Sequence, residues 1–161
     1  MIGLKKSKIF GVKLEDCFME LTQCINYLLT TAQHAVFQEM SARLASYDLT
    51  PVQYGVLYCL WCKNKTKPKE IAEELKLENS TISGVLERME KKELIERQIS
   101  KEDRRFVEIC LTIKGEALQK PVLQTVEEVN NDVMKVIPVE KQEELKQLLR
   151  ALAGIEQEEE A

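Results

Sequence analysis

Residues 66–115, TKPKEIAEELKLENSTISGVLERMEKKELIERQISKEDRRFVEICLTIKG, decide how the rest of the chain is read. Pro68 suits a first helical position, where its missing N–H costs nothing. Ile71, Ala72 and Leu75 follow at helical spacing, and the helix should end near Lys76. After a turn at Leu77-Glu78-Asn79, a second helix runs from Ser80 to about Lys92. Its inward face is Ile82, Val85, Leu86 and Met89; Ser80, Thr81, Ser83, Gly84, Glu87 and Arg88 face outward. Small Ala72 lets the two helices approach closely. Two strands follow, over 94–98 and 105–111, joined by a turn at 100–104. Alternation in the second strand fits one buried face, with Cys110 on that face.

Outward from this stretch the chain reads as helix. Leu14, Phe18, Leu21, Ile25, Leu28, Ala32, Ala35 and Val36, continued by Met40 and Leu44, recur at three- and four-residue steps and predict one helix over 14–47. A helix so long in a chain of 161 residues needs something to lie against, and a second subunit is the economical answer. Thr50 reads as a helix N-cap, Pro51 as the first helical residue and Gln53 as the partner in a capping box, with Leu49 and Tyr54 as a hydrophobic staple. That helix runs to Trp61 or Cys62. Thr112 caps a further helix toward Ile137, which Pro121 should kink or restart. Pro138 opens the last helix, whose Leu145, Leu148, Leu149 and Leu152 form an apolar stripe.

The fold class is therefore mainly α with a small β-hairpin. The expectation is a single domain over 1–161: a helix–turn–helix with hairpin at 50–115, flanked by dimerisation helices at 14–47 and 116–155. The apolar runs are far shorter than a membrane span, and the N-terminus carries lysines without a signal-peptide apolar core, so a cytoplasmic protein is expected. Net charge is −4, which argues against a general nucleic-acid binder, but the charge is unevenly placed. From Lys63 to Lys120 there are 14 basic against 12 acidic residues, whereas from Pro121 onward there are 4 against 10. Positive charge is held in the middle module.

That module suits DNA. A helix enters the major groove most easily where its exposed N-terminal face is small and polar, as Asn79, Ser80, Thr81 and Ser83 are. Asn79 is placed to read an adenine edge and Arg88 to reach a guanine or a phosphate. The hairpin tip offers Lys101, Arg104 and Arg105 to the narrower minor groove and its backbone. Asp103, beside two arginines, suits holding one guanidinium while the other reaches out.

The run LTPVQYGVLYCL…KPKEIAEELKLENSTISGVLERMEKKELIER…DRRFVEICLTIKG resembles the MarR (multiple antibiotic resistance regulator) family of winged-helix repressors, over about residues 14–152. The resemblance implies a homodimer with interlocked terminal helices, binding a pseudo-palindromic operator in double-stranded DNA. It implies base reading by Ser80, Thr81, Ser83 and Arg88, a minor-groove contact by Arg104 or Arg105, and Asp103 as the residue that positions the wing. Two departures stand out. Glu93 occupies a place where the family commonly has Gly, suited to a left-handed helix end. Gly84 stands where an Arg is frequent, removing one phosphate contact.

Family members are released from DNA by small aromatic ligands, by oxidation or by metals. Here the junction of dimer helices and winged helix would be lined by Phe18, Tyr27, His34, Tyr47, Tyr54 and Tyr58; read singly, each is a core aromatic, and together they suit a flat molecule. Cys17 and Cys24, seven residues apart on the predicted first helix, are the redox candidates, although Glu15 and Asp16 disfavour a thiolate at Cys17. Cys59 and Cys62 have metal or redox spacing but no second cysteine pair, so neither a zinc site nor a cofactor is implied. Two other readings compete: a winged-helix protein-interaction module without DNA, and a thiol redox protein using Cys59 and Cys62. The second lacks a thioredoxin-like βαβ setting, so the chain is not read as an enzyme.

Overall fold

The computed structural model describes residues 20–63, 66–100 and 103–155. These form α1 (Ile25–Leu44), α2 (Pro51–Cys62), α3 (Pro68–Glu74), α4 (Asn79–Lys91), β1 (Ile95–Ile99), β2 (Val107–Leu111), α5 (Ile113–Ala117), α6 (Gln119–Met134) and α7 (Val139–Leu152). The chain divides into two compact units, Met1–Val36 and Phe37–Ala161, and α1 contributes residues to both.

In the first unit the expected continuous helix is interrupted. A short turn at Leu21–Gln23 is followed by Cys24 in extended backbone, φ −73° and ψ 117°. The Cys24 carbonyl accepts the Leu28 N–H at 3.0 Å, so Cys24 is the half-in residue before α1 and not part of it. Residues 14–19 lie outside the described residues. Cys24 is thus not seated on the helix face on which the sequence placed it.

The second unit owes its corners to one device used repeatedly. Asp48, Lys76 and Glu93 have φ of 55°, 54° and 57°, and each is followed by a leucine. The leucine N–H reaches back to a carbonyl five residues earlier: Leu49 to Leu44 at 3.2 Å, Leu77 to Ala72 at 2.9 Å, Leu94 to Met89 at 3.0 Å. This is the Schellman end, in which a left-handed residue lets the chain satisfy the last carbonyls and turn an apolar side chain inward. Leu49 and Leu94 are buried and Leu77 is half-buried. Glycine serves this purpose at α7, where Gly154 has φ 64°. At the other three ends a side chain carries the cost of the left-handed conformation.

α2 begins as its sequence predicts. Thr50 Oγ1 accepts the Gln53 N–H at 3.3 Å, and Gln53 Oε1 accepts the Thr50 N–H at 3.1 Å, completing the capping box behind Pro51. Val56, Leu57 and Cys59 of this helix enter the core with Ile71, Ile82, Leu86, Met89, Ile109 and Val122. The expected inner face of α4, Ile82, Val85, Leu86 and Met89, is buried throughout. α4 begins one residue earlier than expected, at Asn79, and α3 ends two earlier, because Lys76 already belongs to the left-handed turn.

The strands pair antiparallel, from Ile95 opposite Leu111 to Ile99 opposite Val107. Directly opposed residues share a face, so Ile95 and Ile109 lie on the same side, and both are buried. Cys110 faces the other way and is half-buried, contrary to its expected inward place. The side-chain period is two, so a phase error of one residue moved it to the wrong face. The N–H of Ile109 also donates to the Thr66 carbonyl at 2.8 Å, tying the hairpin to the segment before α3.

Thr112 caps α5 as expected, accepting the Gly115 N–H at 3.1 Å, and its hydroxyl donates to the Glu93 carbonyl at 2.6 Å. Gly115 is buried where a Cβ would collide with the Leu94 carbonyl oxygen, and its own carbonyl accepts the Trp61 indole N–H at 3.2 Å. Helix α6 restarts at Gln119, two residues before Pro121, and α7 follows Pro138. Near the end of α1, Arg43 pairs with Glu39 at 2.9 Å and with Asp132 of α6 at 2.7 Å. Both carboxylates are part-exposed, so this link contributes little beyond alignment.

Two substitutions test these corners. Glu93→Gly relieves a left-handed side chain at about 1–2 kcal/mol, less about 0.5–1 kcal/mol of extra unfolded-state entropy. Urea denaturation at equal protein concentration should therefore show a small gain, and a lower midpoint would contradict the account of this helix end. Gly115→Ala should cost about 1–3 kcal/mol in the same assay, as for other overpacked sites.

Candidate nucleic-acid interface

The outward face of α4 is polar where the helix begins. Glu78 precedes it in extended backbone without a side-chain cap, so the first N–H groups are not closed off by a capping side chain. Asn79, Ser80, Thr81, Ser83 and Arg88 are all exposed. One of them is partly committed: Ser83 Oγ donates to the Asn79 carbonyl at 2.8 Å, which leaves it as an acceptor toward anything docked on this face. Gly84 is half-buried. A Cβ there would stand 3.5 Å from Arg88 Nη1, an ordinary contact, so the arginine lies back along the helix across the glycine. Glu87 would be an unwelcome charge here. It is paired with Lys91 at 2.7 Å, a hydrogen bond that holds its carboxyl below the usual range.

The hairpin supplies a second, stiffer element. Arg105 Nε donates to Asp103 Oδ1 at 3.0 Å, and Nη2 donates to Oδ2 at 2.6 Å, a bidentate pair. The Arg105 backbone N–H also donates to Oδ1 at 3.0 Å. These bonds, the side-chain pair first, hold the Asp103 carboxyl below its ordinary range. Arg105 is 84% exposed despite being held, so its guanidinium is both outward and oriented. The Phe106 ring lies 5.9 Å from the Arg105 guanidinium carbon, a neighbour that sequence reasoning did not single out. Arg104 is exposed and pairs with no described residue. Lys101, the other expected hairpin cation, lies outside the described residues. The hairpin turn is closed by the Ser100 N–H to the Phe106 carbonyl at 2.9 Å and by Ser100 Oγ to Glu108 Oε1 at 2.7 Å.

The aromatic residues expected at a ligand site are distributed as follows. Phe18 is outside the described residues, and Tyr27 and His34 stand exposed on the first unit's part of α1. In the second unit Tyr54 and Tyr58 are neighbours, ring centroids 6.0 Å apart and tilted by 55°. The Tyr47 hydroxyl meets Thr125 Oγ1 at 3.0 Å. Burial, then Tyr58 and Cys62, push the Tyr54 phenol up to about 12. Cys59 is buried in the core and Cys62 is exposed, so the two present to different surroundings. Among the described residues no group of His, Cys, Asp and Glu is placed to hold a metal ion. Cys17 is outside the described residues, and Cys24 is half-buried.

A polar helix face beside an oriented arginine on a hairpin, above a helix–turn–helix core, defines a winged-helix DNA-binding transcriptional regulator. The MarR family model matches residues 49–107. The regulator MgrA of Staphylococcus aureus is 33% identical over 138 residues, covering 84% of this chain and 89% of its own. Among solved structures, the MepR–DNA complex of S. aureus aligns with a TM-score of 0.73 at 25% identity, covering 81% of this chain and 97% of that one. BpsR of Bordetella bronchiseptica aligns at 0.78 with 21% identity, covering 84% and 96%, which speaks for the fold. The chain belongs to the MarR family.

The tyrosine environment is directly measurable. The chain has four tyrosines, and one should ionise last, near pH 12, in an ultraviolet titration; Tyr54→Phe should remove that late step. The sign follows from the raised value. The fold binds this proton more tightly than the unfolded chain does, with its ordinary value near 10. The corresponding stability is therefore full below about pH 10 and is lost as pH rises toward 12. A titration in which Tyr54→Phe removes no step near pH 12 would contradict the burial of Tyr54.

Proposed function

We propose that the protein is a homodimeric, cytoplasmic repressor that lays α4 of each copy in a major groove of a pseudo-palindromic operator. Asn79, Ser80, Thr81, Ser83 and Arg88 read base edges or adjoining phosphates. The observation that carries the reading is the Asp103–Arg105 pair at 2.6 Å on an arginine that remains 84% exposed. An arm whose side-chain freedom is already restricted loses less entropy when it enters the minor groove. Arg104 and Lys101 then serve the flanking phosphates.

The division of labour expected from sequence supports the dimer. Residues 50–115 form the DNA module, and 14–47 and 116–155 supply the subunit contact. On α7, Leu148 and Leu152 are 61% and 63% exposed in the single chain, and on α1 Ile25 is 62% exposed. Large apolar side chains in rows mark surfaces that a partner covers, and a second copy of the same helices does so symmetrically. A cytoplasmic place is consistent with the absence, among the described residues, of a helix long and apolar enough to cross a membrane.

Release from DNA is assigned to a small aromatic ligand or to thiol oxidation. Tyr47, Tyr54 and Tyr58 offer rings and hydroxyls to a flat ligand, and Cys17 and Cys24 are the thiols in question. DNA binding by the Bordetella protein is regulated by 6-hydroxynicotinic acid, an aromatic acid, which suggests the class with which to begin.

Arg105→Ala should weaken binding to a duplex selected by the wild-type protein at least tenfold. Asp103→Asn should cost less, because the arginine remains but is no longer held. Arg104→Ala should lower the slope of log affinity against log salt by about one per protomer. Unchanged affinity in the Arg105 variant would remove the wing from the interface. Binding should also fall on addition of peroxide or of one member of an aromatic-acid panel; indifference to all would remove the switch and leave the DNA reading intact.

A further inference from the structure

The end of α4 is held in a way that its own sequence does not announce. Lys92, the residue that closes the helix, sends its ammonium 44 residues back along the chain to the turn before α2. There Nζ donates to the Asp48 carbonyl at 2.5 Å, pairs with the Asp48 carboxylate at 3.0 Å and lies 3.4 Å from Gln53 Oε1. Gln53 is the buried capping-box residue of α2, and Asp48 is one of the left-handed residues. The carbonyl of Lys92 accepts from Lys114 Nζ of α5 at 2.8 Å, and the next carbonyl, Glu93, accepts from Thr112. The last turn of α4 is therefore bonded to the first turn of α2 through a side chain and to the first turn of α5 through its backbone. The Lys92 side chain is only 29% exposed, in contrast to 72% for its neighbour Lys91.

We infer that Lys92 is a positioning residue for sequence recognition, acting through Asp48 to fix the angle of α4. The inference rests on the DNA reading above. α4 has 13 residues, so its base-reading end stands roughly 18 Å from this anchor at about 1.5 Å per residue. A pivot of about 5° at Lys92 would sweep that end by more than 1 Å. Hydrogen bonds to base edges require fixed geometry, whereas phosphate attraction varies slowly with distance. Loosening the anchor should thus cost specific binding and spare non-specific binding. Asp48 suits its part: aspartate tolerates the left-handed conformation better than most side chains, and that conformation presents its carbonyl and carboxylate to one ammonium.

The test uses the full-length protein, a duplex enriched from a random library by the wild type, and a scrambled duplex of equal length, at one salt concentration. Lys92→Met should lower the ratio of specific to scrambled affinity at least fivefold while leaving scrambled binding within twofold of the wild type. Lys92→Arg, which keeps a donor within reach of Asp48, should restore most of the ratio. Asp48→Asn should lower the ratio in the wild-type background and add little in Lys92→Met. An unchanged ratio in Lys92→Met, or equal losses on both duplexes, would overturn the inference. Failure of the wild type to enrich any duplex would instead contradict DNA recognition itself. Thermal unfolding of each variant identifies a change that merely unfolds the chain, in which case Asp48→Asn supplies the ratio that decides.

Discussion

Everything in the DNA module depends on burying one face of α4 while leaving the opposite face to solvent. Ile82, Val85, Leu86 and Met89 go under, each at most 4% exposed, and their burial fixes how α4 rotates about its own axis. Rotation about the axis decides that Ser80, Thr81 and Arg88 face outward. It does not decide the angle at which the rod projects. That is set at the ends, where α4 is stopped by Glu93 and tied through Lys92 and Thr112 to the starts of α2 and α5.

The same economy appears in the hairpin. Its base is joined to the core by Ile95, Ile109 and the Ile109–Thr66 bond, whereas its tip carries charge on a pre-set arginine. The proposed recognition helix and wing thus share a core but present different chemistry to DNA. One offers short polar side chains that need accurate placement. The other offers a cation that tolerates error, provided it is aimed. Gly84 stands where the resemblance implies an arginine, and Arg88 lies back over it, so its guanidinium sits above the middle of α4.

Much of this was legible in the sequence because the signals are local. The Thr50–Gln53 capping box spans four residues, so Thr50, Pro51 and Gln53 announce α2 at its first turn. The α4 face follows from spacing alone, whereas the left-handed place of Glu93 is suggested only by the family resemblance, which implies glycine there. What could not be read is non-local or depends on phase. Lys92 and Asp48 are far apart in sequence, and nothing in either neighbourhood indicates the other. The face of Cys110 turned on strand register, set across the hairpin and not along β2. The helix predicted through Cys24 rested on apolar periodicity, which does not register that Cys24 has extended backbone. Residue type alone does not group the aromatics: Tyr54 and Tyr58 are neighbours, Tyr27 and His34 belong to the other unit, and Phe18 lies outside the described residues.

The footprint that the protein leaves on its selected duplex tests paired recognition most directly. Hydroxyl-radical cleavage should show a two-fold symmetric pattern: two major-groove segments about one helical turn apart, where α4 of each copy enters, with minor-groove protection on their outer sides from the hairpins. A single protected segment without symmetry, or protection that is the same on any sequence, would contradict it.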